Sequence, residues 1–148
     1  EAGLCGFTDP DNRRTYPWGR ENKELIDFHR EMIRIHKKYP VLSHGSLKFL
    51  YGEHNVIAYG RFDMKERVIV AFHNGQGDKT FMLPVWQVGV CSGHSLKRVM
   101  LTGDWGYTTE PQEYQVEGGE LTLTLSTTSA IVLVEVVPEE EKEEKTEQ

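Results

Sequence analysis

The hydrophobic period of this chain changes once, near residue 40, and that change limits the folds open to it. Over residues 22–39 apolar side chains recur at helical spacing: Leu25, Phe28, Met32, His36 and Tyr39 share one stripe, with Ile33 and Ile35 beside it. Lys23, Asp27, Arg30, Arg34 and Lys38 fall opposite. Asn22 is placed to cap the start, Lys37 and Lys38 suit the negative end of the helix dipole, and Pro40 stops the helix. A helix with one apolar stripe and one wet face lies on the outside of something larger. From residue 41 the period is two. Leu47, Phe49 and Tyr51 alternate with other residues, and runs at 54–62, 66–73, 78–83, 96–101, 113–117, 119–126 and 129–137 read as strands. Leu121, Leu123 and Leu125 alternate with Thr122 and Thr124, the pattern of a strand with one solvated face. Asn74-Gly75-Gln76-Gly77 between two such runs predicts a hairpin. About eight short strands with no helix between them predict a mainly β fold, an antiparallel β-sandwich.

Length and charge narrow the function classes. The 148 residues fit one domain, or one domain with part of a second. The longest uninterrupted apolar runs, such as residues 130–134, are five residues, too short to cross a bilayer, so no membrane partner is expected. No charged stretch followed by an apolar one opens the chain, so no signal peptide is expected. Cys5 and Cys91 make neither a disulfide framework nor zinc-ligand spacing. Neither a metal nor another cofactor is implied, and scarce cysteine leans toward the cytoplasm. With 17 Lys and Arg against 23 Asp and Glu, nucleic acid is not an expected partner. Six Glu and two Lys in residues 139–148 carry a net −4 of the chain's −6. The segment 138–148 has almost no apolar surface to offset its ordering entropy and is expected to be a disordered tail.

Residues 1–20 have neither period, and Gly3, Gly6, Pro10, Pro17 and Gly19 mark them as one long loop. Long irregular loops in compact domains are usually functional. Within it, Asp9-Pro10-Asp11-Asn12-Arg13-Arg14 and Tyr16-Pro17-Trp18 gather carboxylates, guanidinium groups and aromatic rings. An Asp/Arg pair can accept from and donate to sugar hydroxyls, and an aromatic face can stack on a pyranose. The same residues can equally bridge each other and brace the loop. Composition leaves both readings open.

Glu1-Ala2-Gly3-Leu4, the 9–14 run and Pro17-Trp18 together resemble the last stretch of the catalytic barrel in the α-amylase superfamily, glycoside hydrolase family 13. The likeness is strongest to its neopullulanase, cyclomaltodextrinase and maltogenic amylase branch. The helix from His29 through Tyr39-Pro40-Val41-Leu42 to Gly45, then Leu101-Thr102-Gly103, Gly118-Gly119-Glu120-Leu121 and Ser129-Ala130, continues the pattern to about residue 137. The resemblance implies a barrel remnant over residues 1–40, a Greek-key sandwich called domain C over 41–137, and the tail beyond. It implies that Asp9 and Arg13 contact substrate, with Arg14 and Trp18 supporting the loop. The family's retaining chemistry needs a nucleophile and a general acid/base flanking the scissile bond. These lie on earlier barrel strands, and nothing here resembles them. No catalytic residue is therefore assigned, and the chain alone is expected to be inactive, a truncated part of an α-glycosidase. The implied substrates are maltooligosaccharides, cyclodextrins or starch-type α-glucans, and the implied partner is the missing barrel. Deprived of that partner, the helix stripe is expected to fold back on the sandwich or to drive self-association. Two alternatives remain. One is a stand-alone carbohydrate-binding module using Trp86, Trp105 or Tyr107. The other is a dimerisation or interaction domain.

Overall fold

The structure, a computed structural model, describes residues 1–138, so the expected acidic tail from 139 lies outside the described residues. Two compact units are present, Glu1–Tyr39 and the part from Pro40 onward.

The first unit is the loop followed by α1 (Lys23–Lys38). Asn22 Oδ1 accepts the Leu25 N–H at 3.0 Å, the expected cap, and the Asn22 N–H donates to Ala2 O at 3.0 Å. One residue thus starts the helix and ties down the chain entering the loop. On the solvated face Asp27 pairs with Arg30 and Glu31 with Arg34, each one turn apart. Burial turns the expected stripe slightly. Ile35 is the buried residue of α1, Leu25, Ile26 and Phe28 are half-buried, and Met32 and His36 are exposed.

The second unit begins with α2 (Val41–His44), a single turn the sequence pattern did not show. Gly45 follows because a Cβ there would lie 2.5 Å from Val41 Cγ2 and 2.6 Å from Val41 O, so only glycine lets the chain turn so tightly into β1. Among the described residues nine strands follow: β1 (Ser46–Glu53), β2 (Val56–Phe62), β3 (Arg67–His73), β4 (Lys79–Leu83), β5 (Ser95–Gly103), β6 (Gly106–Thr108), β7 (Glu113–Gln115), β8 (Leu121–Leu125) and β9 (Ser129–Val136). One turn of 3-10 helix, Val85–Val88, precedes β5. All pairings are antiparallel. The large sheet runs β1-β2-β3-β9-β5-β6, with β7 also on β5, and β4 and β8 form a second sheet. The last strand inserting between β3 and β5 is the Greek-key feature expected.

Two local expectations change. Asn74–Gly77 does not close a hairpin: β4 pairs with β8, so the turn carries the chain from one sheet to the other. Its residues are held from outside the turn, Asn74 N–H by Asn55 O (2.9 Å) and Gly77 N–H by Thr127 Oγ1 (2.8 Å). Leu47, Phe49 and Tyr51 do not share a face either. A bulge between Phe49 and Tyr51 resets the alternation. Leu50 joins the core and Tyr51 packs on it, with its ring 5.4 Å from Phe81, while Leu47 and Phe49 are exposed.

The two sheets share one core. Ala58, Ile69, Ala71, Ile131 and Leu133 meet Phe81, Leu83, Leu121, Leu123 and Leu125. Each such Leu contributes about 1.5–3 kcal/mol by leaving water. The small sheet alternates strictly between buried and exposed, as the Leu/Thr pattern of β8 requires. In β3, by contrast, Val68, Ile69, Val70 and Ala71 are all buried. A sheet strand covered on both faces reads as a continuous apolar run. Where the core closes beside β5, three titratable side chains come together: His94 Nδ1 lies 2.7 Å from Glu135 Oε1, and Arg67 Nη1 3.4 Å from Glu135 Oε2.

Candidate functional site

The loop of residues 7–14 is built from turns and clamps within the first unit. Asp11 N–H donates to Thr8 O at 2.8 Å and Arg13 N–H to Pro10 O at 3.0 Å, giving two overlapping turns around a cis Asp9-Pro10 bond. The loop closes against Gly6, where a Cβ would lie 2.6 Å from Asn12 Cα. Asp11 is the clamp. Its Oδ2 accepts the Phe7 N–H at 2.9 Å, and its Oδ1 takes Arg14 Nη2 at 2.5 Å and Nε at 3.0 Å. The Arg14 guanidinium first, and the Phe7 amide second, hold the Asp11 carboxyl below its ordinary value. At the far end Glu21 accepts the Gly19 N–H at 2.9 Å.

The two residues expected to contact substrate are brought together. Arg13 Nε lies 2.6 Å from Asp9 Oδ1, with side chains 76% and 58% exposed respectively. In this arrangement they do bridge each other, as the bracing alternative required. They are also more open to water than the Arg14–Asp11 pair, at 53% and 42%, and both can offer hydrogen bonds to a polyol without unburying anything. Arg14 supports the loop through Asp11. Trp18 does not fill that role by packing: it is 82% exposed, with its ring centroid 4.6 Å from that of Tyr16. Asp11 went unassigned in the sequence reading. The signal was there, an Asp three residues before an Arg in a turn-rich stretch, where a short carboxylate can satisfy a nearby backbone N–H. Among the described residues no group of three or more His, Cys, Asp and Glu side chains is placed to hold a metal ion.

The other aromatic candidates, Trp86, Trp105 and Tyr107, lie in the second unit, on the 3-10 turn, at the β5–β6 turn and on β6. Trp86 N–H donates to Gly119 O at 3.0 Å, on the side where β5 starts, and Trp105 tips the β5–β6 hairpin where β5 ends. β5 itself, nine residues long, spans roughly 26 Å at strand rise. Tyr107 is half-buried, opposite Thr102 in the hairpin.

Comparison with known proteins extends over both units. The chain is 30% identical over 145 residues to an amylopullulanase of Thermoanaerobacterium saccharolyticum, covering 90% of this chain and 11% of that protein. To neopullulanase 2 of Thermoactinomyces vulgaris it is 28% identical over 137 residues, covering 90% of this chain and 21% of the relative. The chain belongs to the α-amylase superfamily, glycoside hydrolase family 13. No protein-family model matches it. In three dimensions it is similar to the α-amylase of Geobacillus thermoleovorans solved with acarbose, with a TM-score of 0.76 and 20% identity over 93% of this chain and 28% of that one. That likeness concerns the fold. The mainly β, antiparallel architecture is thus that of the C-terminal domains of α-amylase family enzymes. The chain spans a small part, about a tenth to a fifth, of the two relatives just named.

Proposed function

We propose that this chain is the closing portion of an α-glucan hydrolase of the α-amylase family: residues 1–40 complete the catalytic barrel, and 41–137 form its domain C. The observation that carries the reading is the amylopullulanase match, which covers 90% of this chain and so reaches into both units. In this reading the whole protein is a retaining α-glycosidase whose catalytic carboxylates lie outside these residues. Its substrates are maltooligosaccharides, cyclodextrins or starch-type glucans. Asp9 and Arg13 contact sugar hydroxyls on a loop that Asp11, Arg14 and Gly6 hold in shape. The sandwich stiffens the enzyme by covering apolar barrel surface. Met32 and Ile33, exposed on α1, suit contact with further protein and would drive self-association of the chain by itself.

The test is kinetic, in the full-length enzyme. Arg13→Ala removes a charged hydrogen bond worth about 1.5–3 kcal/mol, so kcat/KM on maltooligosaccharide should fall by about one to two orders of magnitude with thermal stability unchanged. Unchanged kinetics would make Arg13 a brace for Asp9 and nothing more. Asp9→Asn should produce a comparable loss, because the amide keeps one acceptor oxygen but gives up the charge.

A further inference from the structure

We propose that Trp105, at the tip of the β5–β6 hairpin, is a second, non-catalytic glucan contact, a single-ring platform on which one pyranose of an α-glucan stacks. The α-glucan assignment rests on the function just proposed; the platform rests on the hairpin's own geometry.

Gly103 and Gly106 pair across the hairpin, leaving Asp104-Trp105 as a two-residue turn with Gly106 at φ +115°. The absence of a side chain at Gly103 seats the indole. A Cβ there would lie 2.4 Å from Trp105 Nε1 and 3.0 Å from Cδ1 and Cε2, so the five-membered ring rests directly on the Gly103 backbone. One face is braced in this way, and the residue is still 57% exposed. A tryptophan recruited to close a core hides its ring. This one leaves more than half of a large apolar surface in water while its position is fixed, which is the state a stacking partner needs before it binds. The base of the hairpin is tied to β9 as well, with Thr102 Oγ1 accepting the Ala130 N–H at 3.1 Å. Asp104, next in the turn, carries an exposed carboxylate. A pyranose presents aliphatic C–H groups on its face and hydroxyl donors around its rim. The indole face and an adjacent carboxylate acceptor match those two features.

Trp86 is a built-in comparison. It is equally exposed at 59%, but its contact with Gly119 falls at the root of the side chain: a Cβ there would lie 2.9 Å from Trp86 Cβ and 3.3 Å from Cγ and Cδ1. Gly119 thus meets Cβ and one corner of the ring, whereas at Gly103 all three nearest atoms belong to the indole, and the Gly119 turn is flanked by Glu117 and Glu120, which bridge each other.

The experiment titrates the 148-residue chain with maltohexaose and follows the indole N–H resonance of Trp105 by NMR, with calorimetry on variants. The expected result is a saturable shift at millimolar sugar that survives Arg13→Ala and Trp86→Ala. Heat of binding assigned to this site should disappear in Trp105→Ala and largely return in Trp105→Tyr. Gly103→Ala, which unseats the ring without removing it, should weaken the shift at least tenfold. No shift of the Trp105 resonance at tens of millimolar sugar would overturn the proposal, as would an undiminished shift in Gly103→Ala. Saturation by cellohexaose in place of maltohexaose would overturn the α-glucan assignment. The catalytic-loop reading fails separately, through unchanged kinetics of Arg13→Ala in the full-length enzyme.

Discussion

In the loop of residues 7–14, Asp9–Arg13 and Asp11–Arg14 meet with all four side chains more than two-fifths exposed, whereas beside β5 the carboxylate of Glu135, with a side chain 2% exposed, lies between His94 and Arg67. The chemistry of the pairs is similar and the surroundings are opposite. Water and salt screen the loop pairs, so either partner can turn to a ligand at small cost. Glu135 has no such freedom, because a lone carboxylate at that depth is heavily penalised. Exposed pairing therefore suits a surface that must exchange partners. Buried pairing suits a junction of three strands, β3, β9 and β5, that must not move.

The sharpest way to break this comparison is Glu135→Ala. It removes the buried carboxylate that pairs with Arg67 and meets His94, and it should cost about 3–5 kcal/mol in denaturant unfolding. A loss no larger than that of Asp9→Ala would show that water reaches the Glu135 site and that the contrast is false. Leu123→Ala measures the apolar side of the same unit. Leu123 is 2% exposed, and its removal should cost about 2–5 kcal/mol with the m-value unchanged. A negligible cost would move Leu123 out of the core and break the register of β8 against β4.

How much of this could be read beforehand depends on whether the cause is local. The Leu/Thr alternation of β8 needs only one wet face and one dry face, so its strand and its inward residues were legible. Asn22 as a cap was legible for the same reason. The destination of the chain after Asn74–Gly77 was not. Hairpin chemistry describes a turn, while the choice between β3 and β8 as partner for β4 depends on which apolar face meets which. The bulge that sends Tyr51 inward left no mark in the apolar pattern, and it rearranged the predicted face of β1. The short β6, three residues long, was not among the expected strands. Glu135 was visible as one carboxylate in the otherwise apolar run of β9, which demands a cation, but its partners lie 41 and 68 residues earlier in the chain. In the loop, the types and spacing of Asp9 and Arg13 suggested sugar contact only through family resemblance. Their bridging of each other became visible only in three dimensions.

On the loop side, Gly6→Ala tests whether shape or charge holds the 9–13 segment. The added methyl would lie 2.6 Å from Asn12 Cα, a backbone atom that cannot turn aside. The loop must then shift, with an expected cost of about 1–3 kcal/mol if it stays folded around the methyl. In the full-length enzyme the result should be a raised KM on maltooligosaccharide. A variant with unchanged KM would mean that the charge pairs alone set the loop.

The smallest expected effect separates the two kinds of pairing by pH. Asp11 titrates below its ordinary value, chiefly through Arg14 and then through the Phe7 amide. A carboxyl whose folded-state value is lowered stabilises the loop fully above the ordinary Asp range, about pH 4, and loses that contribution as the pH falls through the lowered value. The Phe7 amide resonance should therefore move with an apparent midpoint below about pH 4, and Asp11→Asn should abolish the step. High salt should weaken the Arg14 contribution and raise the midpoint toward the ordinary value. Amides of β8, held by burial of Leu121, Leu123 and Leu125, should not move in the same window. If they moved together with Phe7, acid would be unfolding the chain as a whole, and the loop would not be an independently titrating, water-exposed element.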